Sequence, residues 1–383
     1  MRARVVIDGR AILLARRDDL PLGERWDLPR GGAPIGRVID ERDDLVIERV
    51  DSASEHPVAS PLAWHALDAL RTQWGRAEIT LTADAASVVR GIARDAIALA
   101  PIEGETSIEI APSLRMIAVR TPTLPPAQHT NLFVIGARDA LLIEPATPDR
   151  GELDRVAEWV GALEASGITL RAIAATHHHV DHVSGARALR EALGAPLVAH
   201  PETASRTPRG ITFEPRLADG ARIELDGPEP ISLRAVLTPG HAPGHLCFLD
   251  ERSGALIAGD MIAGVGTILV EPGDGDMALY LESLRRLAAL DARAIVPAHG
   301  GVMRPPGIVL ERYVEHRLAR ERRVLDALAA HDTPVRPGDL LPMAYADAPR
   351  SAWPLAALST EAHLIKLEHD GRAKRTERGW IAL

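Results

Sequence analysis

One short run, Thr176-His177-His178-His179-Val180-Asp181-His182, constrains this 383-residue chain more than any other stretch. Its spacing is His-x-His-x-Asp-His, and imidazole nitrogens and carboxylate oxygens are the donors that zinc and its neighbours prefer. The run directly follows the apolar strand signal Ala172 to Ala175, which places it in a strand-to-helix loop. There the alternate side chains His177 and His179 point one way, while Asp181 and His182 turn toward a second position as the helix begins. A chance cluster of surface histidines is the plain alternative, and only the rest of the chain can decide between the two.

Three downstream segments share one design, a polar residue just beyond an apolar strand. Thr238-Pro239-Gly240-His241 is a tight turn that presents an imidazole, Ile257-Ala258-Gly259-Asp260 carries a carboxylate past a buried strand, and Val296-Pro297-Ala298-His299-Gly300 ends on a further imidazole. In this order the four motifs resemble those of the metallo-β-lactamase superfamily, over about half of the chain. The resemblance implies two divalent metal ions, zinc being the expected pair. His177, His179 and His241 then correspond to ligands of the first, and Asp181, His182 and His299 to ligands of the second. Asp260 corresponds to the carboxylate that bridges both. Asp181 is the implied catalytic group, orienting a metal-activated hydroxide and accepting its proton. His178 and His245 fall where the family has no ligand, and packing or hydrogen-bonding roles are expected of them.

Around this core the hydrophobic pattern divides the chain in three. Residues 1–110 open with two strands joined by Asp8-Gly9, followed by the turn-rich loop Trp26 to Gly32 and helical periodicity at Leu62 to Trp74 and Ala85 to Leu99. The two strands and that loop faintly resemble the start of a Nudix domain. The run Arg37 to Val50 lacks the clustered glutamates a working Nudix site needs, so a degenerate or unrelated α+β domain is expected. Residues 111–304 alternate short apolar strands with helices, Glu152 to Glu164, His182 to Leu193 and Met277 to Leu290 among the latter. Residues 305–383 turn helical and end in two short strands around Glu377-Arg378-Gly379, a winged-helix pattern. Together with the resemblance this predicts an α+β protein, a four-layer αββα core at 111–304 between the N-terminal domain and the C-terminal winged helix.

Features outside the ligands are similar to the metallo-β-lactamase-like hydrolases with a C-terminal winged helix, a subfamily that includes a mitochondrial endoribonuclease acting on single-stranded RNA. They include His129-Thr130-Asn131-Leu132, Gly264-Val265-Gly266-Thr267, Pro272-Gly273-Asp274-Gly275-Asp276-Met277, His316-Arg317, Arg320-Glu321 and His363-Leu364-Ile365-Lys366. One departure is Ile143-Glu144-Pro145-Ala146, where the family has an Asp-Thr-Gly-like turn, and it places the substrate's shape in question.

The function expected is therefore hydrolysis of a small-molecule ester-type substrate (ester, lactone or thioester) or of single-stranded RNA. The formal net charge of −9 excludes a chain that wraps nucleic acid over its whole surface. Residues 305–383 hold 12 Lys and Arg against 11 Asp and Glu, with a basic cluster only at Arg372, Lys374, Arg375 and Arg378. The single cysteine, Cys247, rules out an intramolecular disulfide and reads as a small buried hydrophobe within Leu246 to Leu249. No stretch approaches the ~20 apolar residues of a membrane span, and the N-terminus lacks a signal-peptide pattern. A cytoplasmic protein without a membrane partner is expected, and β-lactam resistance is disfavoured. Two other classes share the motifs: a mono-iron sulfur dioxygenase, and a binding module with a dead site. The intact ligand set disfavours the second.

Overall fold

The computed structural model describes residues 3–7, 11–19, 23–27, 37–41, 45–49, 58, 62–93 and 107–383. Five N-terminal strands come first: β1 (Ala3–Ile7), β2 (Ala11–Asp19), β3 (Gly23–Asp27), β4 (Arg37–Glu41) and β5 (Leu45–Arg49). β6 (Leu62–Ala66) runs into α1 (Leu67–Gly75), and β7 (Leu81–Thr82) into α2 (Ala83–Ala93). The helical pattern read from Leu62 to Trp74 is thus half strand. Leu62 to Ala66 pairs antiparallel with β2, and long-range pairing overrides the local signal. Of the second predicted helix, residues 94–99 lie outside the described residues, as do residues 28–36 of the Nudix-like loop and its flank.

The strands that follow are β8 (Ile108–Ala111), β9 (Leu114–Arg120), β10 (His129–Gly136), β11 (Asp139–Ile143), β12 (Thr169–Ala174) and β13 (Leu197–Val198). Their helices are α3 (Arg150–Ala165), α4 (Val180–Val183), α5 (Ala186–Leu193) and α6 (Pro201–Arg206). β8 to β13 continue the N-terminal strands in one sheet, because β7 pairs with β8 and β8 with β9. Glu109 of β8 secures this joint. It is buried and meets Arg90 of α2 at 2.5 Å and Arg115 of β9 at 3.9 Å. A second sheet holds β14 (Arg222–Leu225), β15 (Ile231–Leu237), β16 (Leu246–Asp250), β17 (Ala255–Gly259) and β18 (Ala294–Pro297), in that order. α7 (Met277–Ala288) and α8 (Pro306–Ala329) follow in the chain. The helix expected over His182 to Leu193 is two, α4 and α5. It breaks at Gly185, whose backbone N–H donates to the Pro145 carbonyl at 3.0 Å.

Strict alternation builds the layers. In β10, Phe133 and Ile135 enter the core between the two sheets, while Leu132 and Val134 face Val156, Trp159 and Leu189 of α3 and α5. In β17, Ala255 and Ile257 face the other sheet, while Leu256 and Ala258 face Tyr280 and Leu284 of α7 and Val309 and Leu310 of α8. Cys247 is fully buried among the latter group, and burial pushes its thiol up to about 12. The result is helix, sheet, sheet, helix, the predicted four-layer core.

α8 leads into the last module: α9 (Leu341–Ala344), α10 (Trp353–His369), β19 (Ala373–Thr376) and β20 (Gly379–Ala382). Val324, Leu328, Leu340, Leu364, Leu367 and Trp380 form its own core, the winged helix expected from the sequence. Among the described residues no helix is long and apolar enough to cross a membrane.

The two sheets are tied together at one end by Asn131. Its side-chain amide donates to the carbonyls of Pro297 (2.9 Å) and Gly300 (2.7 Å), and its backbone N–H to that of Ala298 (2.7 Å). Asn131→Ala should destabilise the fold by roughly 1–3 kcal/mol for each carbonyl left buried without a donor. Urea denaturation followed by circular dichroism measures it, and an unchanged midpoint would contradict this tie.

Candidate metal centre

Every loop that carries a candidate ligand leaves the same end of the two sheets. His177 and His179 follow β12, His241 follows β15, Asp260 follows β17 and His299 follows β18. Gly and Pro end three of these strands, β15, β17 and β18, and Gly259 shows the reason for one of them. Its φ is +49°, and a Cβ at that position would lie 2.5 Å from His245 Nε2 and 3.0 Å from Thr176 Oγ1.

All seven residues singled out in the sequence converge. His177 Nε2, His179 Nδ1 and His241 Nε2 form a triangle with sides of 3.0, 3.2 and 2.9 Å. Asp260 lies between this triangle and the others: Oδ2 is 3.6 Å from His241 Nε2, while Oδ1 is 3.6 Å from His182 Nε2 and 3.3 Å from His299 Nε2. Asp181 closes the second group, 3.7 Å from His182 Nε2 and 3.6 Å from His299 Nε2.

The outward-facing nitrogens determine what these inward atoms are. His241 Nδ1–H donates to the Leu269 carbonyl and His299 Nδ1–H to that of His129, each at 2.8 Å. His182 Nδ1–H donates to Glu144 at 3.1 Å, and His179 Nε2–H to Asp274 at 2.8 Å. The Thr176 hydroxyl donates to Glu144 at 2.6 Å, so it accepts from His177 Nδ1–H at 3.0 Å. Each ring thus spends its proton outward and turns a lone pair inward. Three lone pairs about 3 Å apart repel one another unless a cation sits among them. Ligands ~2.0–2.1 Å from a zinc ion at tetrahedral angles are roughly 3.3 Å apart, near the observed triangle. In the second group, His182 Nε2 and Asp260 Oδ1 are buried with no hydrogen-bond partner, again as expected of metal donors. The residues present fit divalent cations.

Electrostatics agrees. Burial, aided by the neighbouring imidazoles, holds His177 well below the usual histidine range, and burial brings His241 down to about 4, so both are neutral donors. At His182 burial opposes charge, yet Glu144, Asp181 and Asp260 outweigh it and hold the group well above its ordinary value. His299 is raised too: burial opposes the shift, and Asp260 overcomes it. That corner of the site is built to hold positive charge.

Supporting residues divide into those expected and those missed. His245 is fully buried and no part of the donor set. Its Nε2 accepts the Asp260 backbone N–H at 3.0 Å, so its Nδ1–H donates to Thr238 at 2.9 Å. His178 reaches Asp274 at 3.3 Å. Glu144 is the departure from the family pattern, and it is no substrate contact. It is fully buried, has φ of +69°, and holds both Thr176 and His182. No local pattern marks it; only the lone carboxylate ending an apolar strand hints at a buried partner. Asp274 stands in a motif the sequence does show, but its contact with His179, like that of the Leu269 carbonyl with His241, has no local signal.

Above the donors lies a cavity of about 680 Å³. Asp181, His241, Asp260 and His299 line its floor. Leu124, Val265 and Ile268 of the four-layer core form one wall, and Tyr345, Leu355 and Ala356 of the winged helix another. Arg317 and Arg320 also line it but are committed elsewhere. Arg317 donates to the Ile268 carbonyl and lies 5.1 Å from the Tyr280 ring, while Arg320 holds Asp347 at 2.8 and 3.1 Å. The basic side chains of the wing, Arg372, Lys374, Arg375 and Arg378, are absent from the lining.

Comparison with known proteins agrees with this architecture. Residues 124–299 match the sequence profile described as Metallo-beta-lactamase superfamily, and residues 337–380 that of the Beta-lactamase associated winged helix domain. A beta-lactamase-like protein 2 homolog of Drosophila melanogaster is 28% identical, over 66% of this chain and 87% of its own. A lactamase-like protein of Penicillium aethiopicum is 33% identical, over 58% of this chain and 68% of its own. Other fungal lactamase-like relatives are spanned over 59% of their length. The crystal structure of a metallo-beta-lactamase family protein from Thermus thermophilus aligns with a TM-score of 0.58 at 25% identity, covering 72% of this chain and all of that one.

Gly259→Ala should push His245 and Thr176 away from the donor set and displace Asp260. Overpacking of this kind is expected to destabilise by roughly 1–3 kcal/mol. It should also lower the metal content of purified protein, and a variant with native melting temperature and full metal content would contradict the packing described.

Proposed function

The chain belongs to the metallo-β-lactamase superfamily, and on that premise we propose that it is a hydrolase holding two divalent ions, acting on an uncharged ester-type substrate such as an ester, lactone or thioester. The observation that carries the reading is the convergence of five imidazole nitrogens with Asp181 and Asp260, at the floor of a cavity large enough for a small molecule. His177, His179 and His241 would hold the first ion and Asp181, His182 and His299 the second, with the Asp260 carboxylate available to both. When bound, such a pair supplies ionised water at neutral pH and a positive field for the oxygen that gains charge.

The chain's own residues do the rest. Asp181 has its carboxylate at the cavity floor, where Oδ2 can accept a proton and orient the attacking group. Leu124, Val265, Ile268 and Leu355 exclude bulk water and seat the apolar part of a substrate. Arg320 is paired with Asp347, and the basic side chains of the wing lie outside the cavity lining, so beyond Arg317 there is no track of cations for a chain of phosphates. This favours a carbonyl substrate over single-stranded RNA.

Elemental analysis of the purified protein, paired with a panel of aryl esters, lactones, thioesters, phosphodiesters and single-stranded RNA, tests the proposal. The expected outcome is two divalent ions per chain and turnover of carbonyl substrates, both lost in Asp260→Asn. Cleavage confined to RNA would overturn the substrate reading; one iron per chain with oxygen consumption would overturn hydrolysis itself. Ala356→Trp on α10 is expected to raise KM for bulky esters at least tenfold, by filling the cavity, while metal content stays at the native level.

A further inference from the structure

The motif Pro272 to Met277 includes no ligand, yet it sits against the first metal triad. Asp274 Oδ2 accepts from His179 Nε2–H at 2.8 Å, and Asp274 Oδ1 lies 3.3 Å from His178 Nε2. We infer that Asp274 is a positioning residue for the first metal: it fixes His179 in the tautomer whose Nδ1 faces His177 and His241, and His178 holds the carboxylate in place. This rests on the metal-centre reading above and adds a member to it.

The ring's orientation makes the contact a built one. His179 is the one ligand ring whose Nδ1, rather than Nε2, faces the donor set. Left free, an imidazole favours neither nitrogen enough to guarantee that choice, and an outward acceptor for Nε2–H settles it. A carboxylate opposite a ligand histidine also makes the ring a stronger donor.

The loop that carries Asp274 is rigid. Gly273 takes φ of +95°, and the backbone N–H of Gly275 donates to the Glu271 carbonyl at 2.6 Å. The backbone N–H of Asp276 donates to the carbonyl of Gly240, the residue before ligand His241, at 2.8 Å. The Asp276 side chain then caps α7 through Leu279 N–H at 2.9 Å. The same stretch supplies the Leu269 carbonyl that orients His241. One loop thus sets the outer nitrogen of two of the three rings in the triad. Arg206 of α6 lies 3.9 Å from Oδ1, on the same side of the carboxylate as His178.

The test is cobalt(II) titration of metal-free protein, read by visible absorption and by competition with a chromophoric chelator, for the native chain, Asp274→Ala and Asp274→Asn. Native protein should take up two ions. Asp274→Ala should bind one of them about 10–100-fold more weakly, with an altered absorption band for that ion and the other unchanged. Asp274→Asn keeps an acceptor oxygen and should recover part of the loss. Melting temperatures of the metal-free proteins should match. Native affinity and spectrum in Asp274→Ala would overturn the positioning role, as would equal weakening of both ions. A native chain that binds no cobalt would instead overturn the metal-centre reading.

Discussion

Five imidazoles packed with two carboxylates can exist inside a protein only if the ring protons are disposed of, and the ends of both sheets are arranged around that requirement. Each ring hands its proton to an acceptor fixed by other elements: the Leu269 and His129 carbonyls, Glu144, Asp274 and the Thr176 hydroxyl. These acceptors come from the first residue of β10 and from the loops after β11, β12 and β17, so the ring orientations and the stacking of the sheets are one problem with one solution. Loss of register in any of these strands would turn its side chains over and break the set.

The sheets solve that problem by alternation. β10 and β17 each send one set of residues into the shared core and the other under a helix, leaving their ends free to turn into ligand loops. Asn131 then staples the start of β10 to the loop that bears His299, and the His129 carbonyl beside it receives that ring's proton. A single tripeptide therefore joins fold and chemistry.

Much of this was legible in the sequence because the signals are local. His177, His179, Asp181 and His182 lie within six residues, and each later ligand follows an apolar run with Pro or Gly at its end. The layers could be read from short apolar strands alternating with helices together with the family resemblance, and the winged helix from helices followed by two short strands around Glu377-Arg378-Gly379. What escaped is non-local. Asp274 meets a ring 95 residues earlier, Glu144 one 38 residues later, and the Leu269 carbonyl carries no side-chain identity at all. Leu62 to Ala66 is a strand only because β2 lies alongside. The pairing of β7 with β8, which carries the N-terminal strands into the catalytic sheet across the boundary expected near residue 110, has no sequence signature either.

The cavity has its floor in one hydrophobic core and part of its roof in another, since Tyr345 and Ala356 pack with Leu364 and Trp380 rather than with the sheets. Floor and roof therefore answer to separate selection. Replacements in that wall can reshape the aperture and shift which molecules are admitted, while the donor set beneath stays anchored to the strand ends.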